Sequence, residues 1–305
     1  MKHIYKLLIT ILSICILLNF GGVIESSVNA LPDFLDASKD VSDSNVRDFS
    51  FLKNHGKEYW AVLVGIGDYP HGIPGDGDLP YSVNEVESLK EVLLHSRCWQ
   101  EDHIYTLYDN NATRENMLDL FALLGTQLND NDIFFFYFAG HGRQFQNQEF
   151  LKLHDELISD SELACQLENI SSTTIIVIDA CYSGGFIQEL QKKDRIIVTA
   201  CGKDEQTYQV ADLKSGIFGY FFIQSLRALT KRVEPTFMLT KFFSEYYSMK
   251  LSQQSNNNYV IHPMISDGNI KLTKLISKHA YCDISKNIFQ KIYSAQYERT
   301  MWIQN

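Results

Sequence analysis

The chain has 305 residues and a formal net charge of −10 at pH 7, from 37 acidic and 27 basic side chains. An acidic chain without a block of Lys and Arg offers no footprint for nucleic acid or for an anionic membrane surface, so neither is expected as a partner. The length is sufficient for one large α/β domain with a substantial hydrophobic core.

The N-terminal thirty residues have the pattern of a secretory signal peptide. Lysines precede an apolar run over residues 7–20, and small residues follow at 28–30. Because the run is shorter than the roughly 18 residues of a membrane-spanning helix, we expect cleavage and not a membrane anchor. The sequence therefore predicts a secreted or extracytoplasmic protein, without a stable membrane partner once residues 1–30 are removed.

Residues 31–56 are rich in Asp, Ser and Asn and have little periodic apolar pattern, which indicates a leader or propeptide-like segment. Whether this segment restrains the protein or is a passive spacer is left open. One domain is predicted over residues 57–275, and the tail at 276–305 is predicted to be helical.

Strand-like and helix-like patterns alternate along this domain. Connections of this length imply right-handed crossovers between parallel strands, so the predicted fold class is α/β, with a mostly parallel central sheet flanked by helices. A polar connecting stretch is expected at 144–160. The predicted strands lie at 59–66, 104–108, 133–139, 174–179, 196–200 and 259–265, and the predicted helices at about 83–96, 113–128, 161–167, 217–229 and 239–251.

Two of the predicted strands end in chemically reactive side chains. His141 follows the run at 133–139, and Cys181 follows the run at 174–179. Both runs are apolar throughout, which is typical of central strands of a parallel sheet, covered on both faces. Ligands bind outside the carboxyl ends of such strands. We therefore expect His141 and Cys181 at one edge of the sheet, where an active site belongs.

The cysteine count indicates a free thiol. Of six cysteines, five remain after removal of residues 1–30, and an odd number in an exported protein leaves at least one unpaired. Cys181 is the candidate, and the other four are either buried thiols or form up to two disulfides. No Cys or His spacing suggests zinc, so no metal site is predicted.

The stretches around His141 and Cys181 resemble the histidine and cysteine motifs of caspase-like cysteine peptidases, in particular metacaspases and their prokaryotic relatives. Similar stretches occur at 59–69, at 79–86, and at 196–201 together with 216–222. The resemblance implies the three-layer caspase-like fold, with Cys181 as nucleophile and His141 as the group that protonates the leaving amine. It assigns the oxyanion hole to the backbone N–H groups of Gly142 and Cys181.

The resemblance also implies a substrate-binding set, consisting of Glu85, Asp179, Ala200 and Cys201. Asp179 lies two residues before Cys181 and so on the same side of its strand. The family places an acid there, and a second at the position of Glu85, where this chain has Glu in place of Asp. Two carboxylates would attract Lys or Arg and repel Asp or Glu. Alternatively, Glu85 complements a helix dipole and Asp179 is a structural hydrogen-bonding carboxylate.

The sequence as a whole predicts an exported cysteine endopeptidase that cleaves protein or peptide substrates after Arg or Lys and requires no cofactor. One alternative is a peptidase of the same fold with Asn or Asp preference, legumain-like or caspase-like. Another is a catalytically silent, peptide-binding homologue. Some metacaspases need calcium; Asp155, Asp160 and Glu162 lie in the matching segment, but a full cluster of oxygen ligands is not evident there.

Overall fold

The computed structural model describes residues 56–70, 77–228, 232–268, 273–276 and 301–303. The predicted signal peptide, residues 31–55 of the predicted leader and residues 277–300 of the predicted tail lie outside the described residues. No helix in these ranges is long and apolar enough to cross a membrane.

A six-stranded sheet forms the centre of the domain, in the order β11-β8-β7-β3-β1-β2. Five of its strands are parallel, and β11 runs antiparallel to β8. The strands are β1 (Tyr59–Gly65), β2 (Ile104–Tyr108), β3 (Ile133–Ala139), β4 (Gly142–Phe145), β5 (Gln148–Lys152), β6 (Leu157–Ser159), β7 (Thr173–Asp179), β8 (Arg195–Thr199), β9 (Tyr208–Val210), β10 (Ser215–Gly216), β11 (Met264–Asp267) and β12 (Met301–Ile303). The helices are α1 (Ser82–Leu94), α2 (Arg114–Gln127), α3 (Asp160–Leu167), α4 (Phe186–Leu190), α5 (Ile217–Ala228) and α6 (Val233–Ser255).

Strand β3 explains why helices cover both faces of this sheet. All seven of its side chains are buried, and successive side chains point to opposite faces. Phe135 and Tyr137 join the core beneath α1, α5 and α6, whereas Phe134 and Phe136 join the core beneath α2, α3 and α4. The predicted three-layer α/β fold with a mostly parallel sheet is therefore confirmed.

The polar stretch at 144–160, predicted as a connection, instead forms most of a second sheet of three antiparallel strands, β4, β5 and β6. The turn between β4 and β5 contains Gln146 and Asn147, with φ of 52° and 61°. Left-handed backbone at both positions suits a two-residue hairpin, but the glycine that usually indicates such a turn is missing from the sequence here. This hairpin follows directly after His141.

Three further boundaries differ from the prediction. Helix α6 begins at Val233, six residues before the predicted start, and holds Pro235 in its first turn, where a missing N–H costs little. The last strand of the central sheet, β11, covers Met264–Asp267, whereas the strand predicted from the sequence covers 259–265. In the tail, predicted to be helical, β12 is a strand that pairs antiparallel with β9, whose backbone groups offer an open edge.

Candidate active site

Sheet register brings His141 and Cys181 together. Strands β3 and β7 are parallel neighbours in which Ala139 pairs with Asp179, and each reactive residue comes two positions later. Gly140 N donates to Asp179 O at 3.2 Å, which continues the pairing beyond the strands. A Cβ atom on Gly142 would collide with the carbonyl oxygen of Cys181, so only glycine permits this approach. Both residues thus lie at one edge of the sheet, where the sequence pattern predicts them.

The imidazole of His141 is buried and held by a backbone carbonyl. His141 Nε2 lies 2.7 Å from Gly77 O. Because a carbonyl oxygen can only accept, Nε2 carries the proton in this contact, and in the neutral ring Nδ1 is then the nitrogen that can take up a proton. The main chain of His141 is fixed as well, since its N–H donates to Tyr69 Oη at 2.9 Å.

The thiol of Cys181 is completely buried, and its sulfur is in contact with the end of residues 202–207, which we call the covering segment. Thr207 N donates to Cys181 Sγ at 3.2 Å, and Thr207 O lies 3.6 Å from the same sulfur. Tyr182, the residue after Cys181, adopts φ of 61° and donates its N–H to Glu205 O at 2.8 Å. A non-glycine residue in left-handed backbone is frequently found where a functional turn is held under constraint.

Glu205 attaches the covering segment to the chain after α6. One carboxylate oxygen accepts from Gly202 N at 2.8 Å and from His262 N at 3.0 Å, and the other lies 2.6 Å from His262 Nδ1. Sequence reasoning missed Glu205, His262 and Thr207. The first two are far apart in the chain, and Thr207 acts through its backbone, so no pattern identified them.

The backbone N–H of Gly142 lies outside the ladder between β4 and β5. Lys152 N donates to His141 O at 3.0 Å, so the next pair, Gly142 with Leu151, is of the non-hydrogen-bonded type. In such a pair the N–H points away from the partner strand. Gly142 N–H is therefore available for an oxyanion, as the resemblance to caspase-like peptidases implies.

Glu85 and Asp179 form a completely buried carboxyl pair. Glu85 accepts hydrogen bonds from Tyr137 Oη at 2.8 Å and from Ser215 Oγ and Gly216 N at 2.7 Å each. Asp179 Oδ2 accepts from Gly219 N at 2.8 Å. The two acids predicted to share a pocket thus lie together, in direct hydrogen-bond contact with each other.

Burial raises the pKa of both carboxyl groups, but not to the same extent. Burial, followed by the charge of Glu85, raises the pKa of Asp179 well above its usual range. Burial also raises the pKa of Glu85, but the donors from Ser215, Tyr137 and Gly216 favour its charged form. Asp179 is consequently the carboxyl group of the pair whose protonated form the site favours more strongly.

Ala200 and Cys201, the other predicted substrate-binding residues, follow β8 and are completely buried. Cys201 Sγ lies 3.5 Å from Ala180 O and from Ser183 Oγ, behind the turn that carries Cys181. Burial raises the pKa of the Cys201 thiol to about 12. Among the described residues, the cysteines at 98, 165, 181 and 201 form no disulfide.

The acids considered for calcium are engaged by protein groups. Asp155 Oδ1 accepts from Arg114 N at 2.9 Å, Glu162 forms an ion pair with the Arg114 guanidinium, and Asp160 Oδ1 accepts from Ser161 N at 2.7 Å. Within the part of the chain that the structure describes, no group of three or more His, Cys, Asp or Glu side chains could hold a metal ion.

Comparisons with known proteins place these features in context. A family model described as the caspase domain matches residues 58–263. Metacaspase-1 of Schizosaccharomyces pombe is 24% identical over 177 residues, a match that covers 51% of this chain and 40% of that protein. The chain thus covers less than half the length of this relative. The crystal structure of protein GSU0716 from Geobacter sulfurreducens matches with a TM-score of 0.52 and 13% identity, over 74% of this chain and 98% of that one, a likeness of fold alone.

Proposed function

Since the chain belongs to the caspase domain family of peptidases, we propose that it is a cysteine endopeptidase with Cys181 and His141 as its catalytic dyad. The observation that carries the proposal is the register of β3 and β7, which sets both side chains two residues beyond paired strand ends. The collision that any Cβ on Gly142 would make with Cys181 supports it, because it shows how closely the backbone after His141 packs against that of Cys181.

In the proposed reaction, His141 Nδ1 accepts the thiol proton of Cys181, and the thiolate attacks the scissile carbonyl carbon. The N–H groups of Gly142 and Cys181 stabilise the oxyanion of the tetrahedral intermediate. As the C–N bond breaks, His141 gives its proton to the leaving amine, and the acyl group stays on sulfur. Water then hydrolyses the thioester and restores the thiol. Gly77 O keeps the proton on Nε2 throughout.

We propose cleavage after Arg or Lys, with Glu85 and Asp179 as the acids that receive the basic side chain. In the structure the pair is satisfied by donors of the chain itself, from Tyr137, Ser215 and the N–H groups at 216 and 219. A guanidinium carries five donors in a planar fork and can replace such a set. A substrate Asp would add a third carboxyl to the site, which disfavours the caspase-like alternative.

The complete burial of Cys181 favours a second candidate, a silent peptide-binding homologue. An acyloxymethyl ketone probe with Arg next to the reactive group separates the two, because only an active thiolate displaces the leaving group. We expect the wild type to be labelled at Cys181 and to hydrolyse fluorogenic peptides with Arg or Lys before the scissile bond faster than peptides with Asn or Asp. If the probe does not label Cys181 and no peptide is hydrolysed, the peptidase proposal is wrong and the silent homologue is supported.

Substitution of the dyad provides the matched comparison. Cys181→Ala and His141→Ala should each lower kcat by at least about 10³-fold while the far-UV spectrum and melting temperature stay near those of the wild type. Cys165→Ala, which removes an exposed thiol from α3, is the control and should retain full activity. Near wild-type turnover in either dyad variant would exclude the assignment.

We also propose export, on the pattern of residues 1–30, with no cofactor and with basic peptides or proteins as substrates. Expression in a host with a secretory pathway should yield a chain whose N-terminal residue lies close to position 31. Deletion of the apolar run at 7–20 should keep the protein in the cell. An uncleaved N-terminus on the exported chain would contradict this part of the proposal.

A further inference from the structure

The loop between β1 and α1 contacts His141 from two directions. The described parts of the loop are closed at the base, where Leu79 N donates to Gly67 O at 2.7 Å, and Tyr69 N donates to Asp78 Oδ1 at 3.4 Å. Pro70 follows Tyr69 and disfavours helical backbone at the tyrosine. Tyr69 itself is 1% exposed, although it belongs to a loop.

Tyr69 contacts both the backbone and the ring of His141. Its hydroxyl accepts the N–H of His141 at 2.9 Å and donates to Lys152 O at 3.3 Å. Its ring centroid lies 4.6 Å from that of the imidazole, tilted by 46°. Lys152 N in turn donates to His141 O. The hydroxyl therefore closes a ring of hydrogen bonds between the histidine and β5.

The fit around this hydroxyl is tight. A Cβ atom on Gly140, the residue before His141, would lie 2.6 Å from Tyr69 Oη. The tyrosine oxygen therefore occupies the space that a side chain at position 140 would need. Burial raises the pKa of Tyr69 well above its usual range, so the hydroxyl stays protonated and donates and accepts at the same time. From the same loop, Gly77 O holds the imidazole at Nε2. One loop thus fixes the main chain and the ring.

We propose that Tyr69 is a positioning residue for His141, whose hydroxyl and ring set the place and the orientation of the imidazole relative to Cys181. This inference rests on the proposed function for its effect on catalysis. Without the hydroxyl, a buried N–H of His141 loses its acceptor, and the turn at 140–142 can shift. A displacement of a catalytic group by about 1 Å is enough to cost roughly 100-fold in rate.

Tyr69→Phe tests the proposal, with Tyr59→Phe as the matched control. Tyr59 is a buried tyrosine at the other end of β1, where its ring packs against Trp99 at 5.3 Å. We expect Tyr69→Phe to lower kcat about 10- to 100-fold with little change in KM, and to shift the pH profile of kcat. Tyr59→Phe should leave both unchanged. Tyr69→Phe should also melt a few degrees lower, because the buried N–H of His141 loses its acceptor, but both variants should be fully folded at the assay temperature.

A second measurement does not depend on peptidase activity. The imidazole nitrogen resonances of His141, assigned with His141→Gln, report its tautomer and its titration in the wild type and in Tyr69→Phe. A changed tautomer ratio or titration midpoint supports positioning by Tyr69 even if no peptide is cleaved, in which case the proposed function alone fails. Identical His141 resonances, or a kcat and pH profile of Tyr69→Phe that match those of Tyr59→Phe, would overturn the inference.

Discussion

Replacing Asp179 with Asn should remove a pH dependence from the stability of the protein and weaken the hydrolysis of basic substrates. Burial and the charge of Glu85 raise the pKa of Asp179, so the folded state keeps a proton that the unfolded chain releases near pH ~4. Raising the pH above about 4 therefore favours unfolding, until the pH exceeds the pKa in the folded state. The corresponding slope is about 1.4 kcal/mol per pH unit for one proton.

Three other titratable groups with raised pKa values, Tyr137, Cys201 and Glu149, do not obscure this slope. Burial raises the pKa of Tyr137 well above its usual range and that of Cys201 to about 12, so neither titrates near neutral pH. Burial also raises the pKa of Glu149, but this residue is present in both proteins and cancels in the difference. The amide introduced by Asp179→Asn keeps the shape of a protonated Asp, and it can still donate to Glu85 and accept from Gly219.

Urea unfolding at several pH values between about 5 and 8 measures the effect. The free energy of unfolding of the wild type should fall relative to that of Asp179→Asn by up to about 1.4 kcal/mol per pH unit, as long as the pH is below the pKa of Asp179 in the folded state. A bound guanidinium lowers the pKa of Asp179 again and pairs with two carboxylates, whereas the variant offers only one. On Arg substrates kcat/KM should therefore fall by a factor that corresponds to about 2–5 kcal/mol, the cost of removing one partner of a desolvated charge pair. Asp119→Asn, an exposed acid on α2, is the control. Parallel stability curves for both proteins, or equal losses on basic and uncharged substrates, would refute the reasoning.

Two further predictions concern access to the site and metal dependence. Glu205→Gln should loosen the covering segment and speed the alkylation of Cys181 roughly 2- to 5-fold, since the variant weakens the contacts of this side chain with Gly202 and His262, which are worth about 0.5–1 kcal/mol at a partly exposed position; an unchanged alkylation rate, as expected for exposed Glu115→Gln, would contradict it. Removal of calcium with EGTA should leave hydrolysis unchanged, because Arg114 engages the acids near 155–162; activity restored by added calcium would contradict that.

The central sheet could be predicted because its strands are covered on both faces and so are apolar along their whole length. The run at 133–139 is the clearest case, and β3 has these bounds. The hairpin of β4 and β5 could not be predicted. Its strands are short, and its residues 144–146 are polar or exposed. The turn has left-handed backbone at Gln146 and Asn147, and the glycine that usually indicates such a turn in a sequence is absent there.

The same distinction applies to the site. His141 and Cys181 could be placed from sequence because parallel strands end at one edge and both residues follow a strand directly. The covering segment could not, because Thr207 contacts the sulfur through backbone atoms, which every residue but proline possesses. The covering segment is held by the contact between Glu205 and His262, which lies 57 positions later in the chain, and a single long-range pair leaves no periodic signal in a sequence.

Binding of a basic side chain and uncovering of Cys181 are expected to be coupled, because one stretch of chain serves both. The covering segment leads through β9 and β10 into α5, and the donors to Glu85 and Asp179 come from Ser215, Gly216 and Gly219 on that path. The sulfur of Cys181 can attack only when the carbonyl carbon of a substrate is about 3–3.5 Å away. Thr207, whose backbone N–H contacts this sulfur, therefore has to move away before a substrate can bind there.

A planar cation that competes for the two carboxyl groups releases these donors and so favours displacement of the covering segment. Benzamidine, whose amidinium resembles part of a guanidinium, should therefore accelerate the alkylation of Cys181 by uncharged iodoacetamide. In Asp179→Asn the acceleration should disappear, because the variant lacks the second carboxyl group. An alkylation rate of the wild type that benzamidine leaves unchanged would show that the acids and the covering segment act independently, since a ligand that favours neither state shifts no equilibrium. A rate lowered by benzamidine would contradict the coupling as well.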